Sequence, residues 1–161
     1  IDAGSRNKIQ QYIQIGAQEG QVLLQRDAPD GGFYVGPTII EGIDPSDRLG
    51  QEEIFGPVLA LMKATDFEDA LRIANSTRYA LTGAVYSRSP YNIQAAYERF
   101  DVGNLYINRG STGALVYRQP FGGYKMSGVG TKAGGPDYLR HFMVPRTVSE
   151  NTMRRGFAPE E

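Results

Sequence analysis

Residues 58–107 read VLALMKATDFEDALRIANSTRYALTGAVYSRSPYNIQAAYERFDVGNLYI, and the fold class follows from this stretch. Short apolar runs at 58–62, 84–86 and 105–107 have the length of β-strands and no polar alternation, which indicates that both of their faces are buried. Periodic apolar positions at 67–76 and 90–100 predict two helices between them. This order of three strands and two helices, with short connections between them, predicts an α/β fold: an open parallel βαβαβ sheet with covering helices.

Both predicted helices begin at residues that are typical of helix starts. Asp66 can cap the first helix, and Asp69 places a negative charge in the first turn, where it suits the helix dipole. Ser89 can cap the second helix, and Pro90 follows at the first helical position, where its missing N–H costs nothing.

The N-terminal third predicts one helix and two further strands. Residues 5–18 carry an amphipathic pattern, with Gly16 as a weak point and Gly20 as a possible end. The apolar run 22–24 predicts a strand, 27–32 a turn, and 33–40 a second strand region that Gly36-Pro37 interrupts.

The last third changes in character. Residues 108–135 are rich in glycine and too long for a simple connection, which indicates functional loops. We predict a short helix at residues 136–142. The sequence VPRTVSE at 144–150 favours an edge strand or an arm, and we expect residues 151–161 to form a frayed end.

Composition excludes several kinds of chemistry. The 161 residues contain no cysteine and one histidine, so the chain holds no disulfide, thiolate metal site or cysteine nucleophile, and we expect no metal site. A net charge of -1 without a basic patch argues against nucleic acid. There is no apolar stretch of membrane length and no signal-peptide layout, so we expect no membrane partner and a cytoplasmic location.

Two motifs carry a resemblance to a known family. Residues 52–57 read EEIFGP and 120–128 read PFGGYKMSG; the second is not a phosphate loop, and its composition alone favours a tight surface loop. In this order, around the βαβαβ region, the motifs resemble the aldehyde dehydrogenase superfamily. NRGSTGALV (108–116) and KAGGPDYL (132–139) resemble its pyrroline-5-carboxylate (glutamate semialdehyde) branch.

The resemblance implies two cofactor contacts. It assigns Glu53 to the ribose of the nicotinamide half of NAD, and an ionised carboxylate with two acceptor oxygens suits two neighbouring hydroxyls. It assigns Phe55 to a place beside the nicotinamide ring. Without the motif, Glu53 would be interpreted as a surface acid and Phe55 as a core aromatic.

The resemblance also implies a substrate site. Ser111, Gly113 and Ala114 match the loop whose backbone N–H groups hold the substrate carboxylate, and consecutive amides can form such an anion-binding nest. Phe121 matches an aromatic residue that packs on the substrate's methylene groups. Tyr117 stands where the family pattern leads us to expect a glycine, which puts the loop conformation in question.

The resemblance implies that the chain is one part of an NAD-dependent enzyme that oxidises glutamate γ-semialdehyde (pyrroline-5-carboxylate) to glutamate in proline and arginine catabolism. The catalytic cysteine, the general base and a cofactor-binding lobe with most of the NAD site would lie earlier in the polypeptide, outside this chain, which alone is expected to be inactive. Residues 1–143 would belong to the catalytic domain, and 144–161 to an arm and tail that join a homo-oligomer. The alternatives are another aldehyde dehydrogenase branch and a non-catalytic assembly module.

Overall fold

The computed structural model describes residues 2–152 and has the expected α/β architecture, with short strands covered by helices. In chain order the elements are α1 Ala3–Glu19, β1 Gln21–Gln25, β2 Thr38–Glu41, α2 Arg48–Gln51, β3 Val58–Leu61, α3 Phe67–Asn75, β4 Tyr79–Ala80, β5 Thr82–Val85, α4 Pro90–Arg99, β6 Asn104–Ile107, β7 Tyr124–Lys125 and a 3-10 helix Tyr138–Phe142.

Helix α1 starts two residues earlier than predicted because Asp2 caps it: its carboxylate accepts a hydrogen bond from the N–H of Ser5 at 2.6 Å. Gly16 lies in the helix interior and is buried. A Cβ there would come within 2.5 Å of Ile40 Cδ1 and 2.8 Å of Leu49 Cδ2. The glycine that weakens the helix locally therefore permits its close approach to the core.

The first sheet has the strand order β1-β2-β3, with β1 antiparallel and β3 parallel to β2. Helices α1 and α2 cover one face, where Ile40, Ile43 and Leu49 form a buried cluster. The predicted strand region 33–40 begins only at Thr38, because the Gly36-Pro37 pair interrupts the preceding backbone.

The opposite face of this sheet is apolar and uncovered within the described chain. Leu59 is 52% exposed and Leu61 39% exposed, since they alternate with Val58 and Ala60, which pack against the cluster. Leu23 in β1 is also exposed. A face of this kind is typical of a surface that another element covers.

The remaining strands form two small sheets. β5 pairs in parallel with β6, and α4 connects them, as predicted; Asp66 and Ser89 cap α3 and α4 through their side chains. β4 pairs with β7 in an antiparallel ladder that was not predicted.

The continuous parallel sheet expected across 58–107 is divided. Within residues 2–152, β3 pairs only with β2, and no ladder joins it to β5. The chain leaving α3 first enters β4, which pairs with the distant β7. The class and the parallel pairing were therefore predicted correctly, and the single sheet was not, because strand partners are set by long-range contacts.

The C-terminal residues partly follow the prediction. The short helix expected at 136–142 is the 3-10 helix, and residues 144–150 form no strand within the described chain, because no described segment pairs with them. Of the tail predicted at 151–161, residues 153–161 lie outside the described residues. None of the helices between residues 2 and 152 has the length and apolar character needed to cross a membrane.

Candidate functional site

Glu53 lies in the segment that leaves α2. Its side chain is exposed and makes no hydrogen bond or ion pair within residues 2–152, so both carboxylate oxygens are free to accept. Its backbone is held: the Nζ of Lys8 donates to the Glu53 carbonyl oxygen at 2.9 Å.

Phe55 has a left-handed backbone with φ of 61°, and its ring is 75% exposed. A left-handed backbone is unusual for a bulky residue and marks a constrained position. The ring borders a cavity of about 180 Å³ formed with the start of α1, residues 33–35 and Gly56-Pro57. The Phe55 ring is therefore not part of the core that the described residues form.

The predicted nest lies in the loop after β6. Gly113 has φ of 82°, and the N–H groups of Ser111, Gly113 and Ala114 donate to no other group among the described residues. Arg109 lies over the ring of Tyr106 at 5.3 Å and donates to the carbonyl oxygen of Thr112 at 3.4 Å. The loop backbone is therefore supported by Arg109, and the N–H groups of residues 111, 113 and 114 have no hydrogen-bond partner among the described residues.

Phe121 is fixed through its backbone. It pairs with Ala133 in an isolated bridge, with N···O distances of 3.0 and 2.8 Å. Asn104 donates to the carbonyl oxygen of Pro120 at 2.9 Å and accepts from the N–H of Gly122 at 3.2 Å.

Lys132 supports the same turn. Its Nζ donates to the Gly122 carbonyl oxygen at 2.6 Å and lies 4.7 Å from the ring centre of Tyr124, and burial lowers the pKa of Lys132. The sequence reasoning did not identify Asn104 or Lys132 as supports. A polar residue at the start of an apolar strand was the available signal for Asn104.

Tyr117 adopts the conformation that the expected glycine would favour. Its φ is 61°, its side chain is 79% exposed, and its N–H donates to the carbonyl oxygen of Gly134 at 2.8 Å. The loop therefore keeps a glycine-type backbone with a tyrosine in it, at a cost of about 1–2 kcal/mol for the left-handed conformation.

Among the described residues, the two predicted groups share no cavity lining and no hydrogen bond. The cavity beside Phe55 contains none of residues 111–121, and no hydrogen bond or ion pair of the described chain joins Glu53 or Phe55 to that loop. The resemblance leads us to expect that Glu53 and the amides of residues 113 and 114 face one cleft shared with a lobe outside this chain, and this expectation stays a prediction.

Comparison with known proteins gives consistent matches. The profile of the aldehyde dehydrogenase family matches residues 1–148. The chain is 56% identical over 151 residues to the 1-pyrroline-5-carboxylate dehydrogenase of Geobacillus thermodenitrificans; the match covers 93% of this chain and 29% of the relative. The chain thus spans less than a third of the length of the curated relatives that it matches.

Solved structures agree with this similarity. The structure of 1-pyrroline-5-carboxylate dehydrogenase from Thermus with bound NAD has a TM-score of 0.85 and 48% identity, over 88% of this chain and 28% of that one. Proline utilization A from Bdellovibrio bacteriovorus has a TM-score of 0.89 and 52% identity, over 100% of this chain and 17% of that one.

Proposed function

The chain belongs to the aldehyde dehydrogenase family, and from that premise we propose that it is the substrate-anchoring and ribose-contacting part of an NAD-dependent oxidoreductase. Its substrate is glutamate γ-semialdehyde, which the assembled enzyme oxidises to glutamate in proline and arginine catabolism. Names and identities of the relatives support this substrate, since several matched proteins are 1-pyrroline-5-carboxylate dehydrogenases.

The observation that carries the proposal is the set of free amides in the loop after β6. The N–H groups of Gly113 and Ala114 have no partner among the described residues, and Gly113 supplies the left-handed turn that aims successive amides the same way. A substrate carboxylate would satisfy these donors, with Ser111 as a further contact. Phe121, held in place from its backbone, would pack on the methylene groups between carboxylate and aldehyde.

The residues of the 52–57 segment fit NAD. The Glu53 carboxylate has both oxygens free for two ribose hydroxyls, and the exposed Phe55 ring borders a cavity of about 180 Å³ where a flat ring can contact it. When bound, NAD supplies the acceptor for the two electrons that the aldehyde loses. Glu53 and Phe55 would orient its nicotinamide half.

The chemistry of bond formation would come from parts of the polypeptide outside this chain, which would include the cysteine nucleophile and a cofactor-binding lobe that packs against this chain. The relatives are more than three times as long as the matched segment, and the chain contains no cysteine. The uncovered apolar face at Leu23, Leu59 and Leu61 supports such packing. We place the boundary between catalytic domain and arm at 143/144, with residues 144–161 joining a homo-oligomer, and we place the assembled enzyme in the cytoplasm.

The test is a chimera in which this chain replaces the matched 29% of the Geobacillus thermodenitrificans enzyme. We expect it to form NADH from glutamate semialdehyde. In the chimera, Ala114→Pro removes one amide and should raise the KM for this substrate by about 10- to 150-fold, the range for a hydrogen bond to a charged group. The KM for propionaldehyde, which has no carboxylate, should stay within twofold.

Ala114→Ser is the matched control, because it keeps the amide and should keep the KM for glutamate semialdehyde. Equal effects of Ala114→Pro on both aldehydes would indicate another aldehyde dehydrogenase branch or a collapsed loop. A folded chimera that oxidises neither aldehyde would favour the non-catalytic assembly module.

A further inference from the structure

We propose that helix α1 is the positioning element for the cofactor contact, with Lys8 and Tyr12 as positioning residues that fix the backbone around Glu53. The inference rests on the proposed function and deepens it. Neither residue would touch NAD, so both act through the 52–57 segment.

The Glu53 side chain has no described contact of its own, so its direction depends on the backbone that carries it. That backbone is extended at Glu52, with φ of -109° and ψ of 145°. The Glu53 side chain is exposed, whereas its neighbour Ile54 is half-buried. Ile54 packs against the buried cluster of the first sheet. Contacts that fix Glu52 and Ile54 therefore hold both ends of the backbone that carries the exposed Glu53 side chain.

Tyr12 holds Glu52 from the face of α1. Its hydroxyl donates to Glu52 Oε2, and Arg48 donates to both oxygens of the same carboxylate, at 3.2 Å from Nε and 3.0 Å from Nη2. The hydrogen bonds from Arg48 and Tyr12 lower the pKa of Glu52 to about 2, so this carboxylate stays ionised at neutral pH. Glu19, at the end of α1, accepts from the N–H groups of Arg48 and Leu49.

Lys8 lies one helical turn before Tyr12 and secures the next residue of the segment. Its Nζ donates to the Glu53 carbonyl oxygen at 2.9 Å and lies 5.7 Å from the centre of the Tyr12 ring. Ile9 packs so closely on the same segment that a Cβ at Gly56 would lie 2.6 Å from its Cδ1. Three residues of helix α1, Lys8, Ile9 and Tyr12, thus restrain residues 53, 56 and 52, respectively.

Variants of the chimera test this role through NADH affinity, measured by the fluorescence of bound NADH. Lys8→Met keeps the length of the side chain and removes the donor, and Tyr12→Phe removes only the hydroxyl. Each should raise the Kd for NADH by about 2- to 12-fold, the range for one hydrogen bond. The KM for NAD should rise in parallel, and the KM for glutamate semialdehyde should not change. Lys8→Arg, which retains a donor, should restore most of the affinity.

Matched controls separate positioning from a general loss of lysine or tyrosine. The side chains of Lys63 and Tyr97 are exposed and make no hydrogen bond or ion pair among the described residues, so Lys63→Met and Tyr97→Phe should leave NADH affinity unchanged. Thermal denaturation of each variant reports whether the fold is retained.

An active chimera whose NADH affinity is unchanged in Lys8→Met and Tyr12→Phe would overturn this inference and leave the proposed function standing. Equal increases in the KM for NAD and for the aldehyde would overturn it as well, since they indicate a purely structural role. A chimera that neither binds NADH nor oxidises aldehydes would overturn both.

Discussion

Replacing Gly103 by alanine tests the close packing between strand β6 and the turn that carries Phe121. A Cβ at residue 103 would lie 1.9 Å from the carbonyl oxygen of Gly122 and 2.6 Å from the Cα of Gly123. Both atoms belong to the backbone, so no side-chain rotation relieves the overlap. The turn must move away from β6, or β6 must move away from β4.

The cost follows from the hydrogen bonds at this junction. Asn104 makes two hydrogen bonds with the turn: its side chain donates to the carbonyl oxygen of Pro120 and accepts from the N–H of Gly122. The N–H of Gly103 donates to the Ala80 carbonyl oxygen at 3.0 Å. Losing three bonds at about 1 kcal/mol each costs about 3 kcal/mol. The smaller unfolded-state entropy of alanine offsets about 0.4–1 kcal/mol of this. The net loss is about 2–2.5 kcal/mol, or about 4–10 °C in the melting midpoint of a chain this size.

Urea unfolding of the 161-residue chain, followed by circular dichroism, measures the effect. Gly110→Ala is the matched control, because a Cβ at residue 110 meets nothing within 4 Å while the change in unfolded-state entropy is the same. A Gly103→Ala variant as stable as Gly110→Ala would refute the close packing of β6 on this turn.

Two further predictions concern single side chains of the 161-residue chain. The hydrogen bonds from Arg48 and Tyr12 lower the folded-state pKa of Glu52 from its ordinary value of 4.5 to about 2. The ionised Glu52 carboxylate therefore stabilises the fold above pH 4.5, and this contribution disappears as the pH falls from 4.5 towards 2. The difference in thermal midpoint between the wild type and Glu52→Gln should therefore shrink over that pH range, and a difference that does not vary with pH would contradict it. Tyr117→Gly should raise the free energy of unfolding in urea by about 0.5–1 kcal/mol, because relief of the left-handed backbone outweighs the greater unfolded-state entropy of glycine. Tyr117→Ala keeps the strain and should not stabilise; stabilisation by both would point to the loss of the exposed ring instead.

The elements that could be predicted from sequence are those whose signals are local. Asp66 and Ser89 cap α3 and α4 as expected, and the amphipathic pattern of 5–18 lies within α1. These features depend on residues three or four positions apart, which a single sequence displays directly.

The parts that could not be predicted depend on distant partners. β4 and β7 are two residues long and exist only because Tyr79 and Ala80 pair with Lys125 and Tyr124, which lie 46 and 44 positions further on. α2 has four residues, and its first N–H groups are satisfied by Glu19 from another helix. The division of the predicted sheet has the same origin, since apolar runs indicate strands without indicating which strands pair.

The candidate site divides along the same line. The motifs allowed Glu53, Phe55 and the amides of Gly113 and Ala114 to be selected. Among the described residues, the carboxylate of Glu53 and these two amides have no hydrogen-bond partner, and the ring of Phe55 is exposed. The residues that hold them in place were not selected, because Lys8 contacts residue 53 across 45 positions of sequence and no motif encodes that contact.

Each candidate contact is thus restrained from its own neighbourhood: the 52–57 segment by α1, and the 113–121 loop by Asn104 and Lys132. No described hydrogen bond or ion pair joins one neighbourhood directly to the other. In the proposed function, the local geometry for ribose and for carboxylate recognition is therefore encoded within this chain. The proposed lobe would pack on the uncovered face of the first sheet, so polar substitutions at Leu59 or Leu61 should lower the rate at which the assembled enzyme forms NADH while leaving the local hydrogen bonds of both neighbourhoods intact.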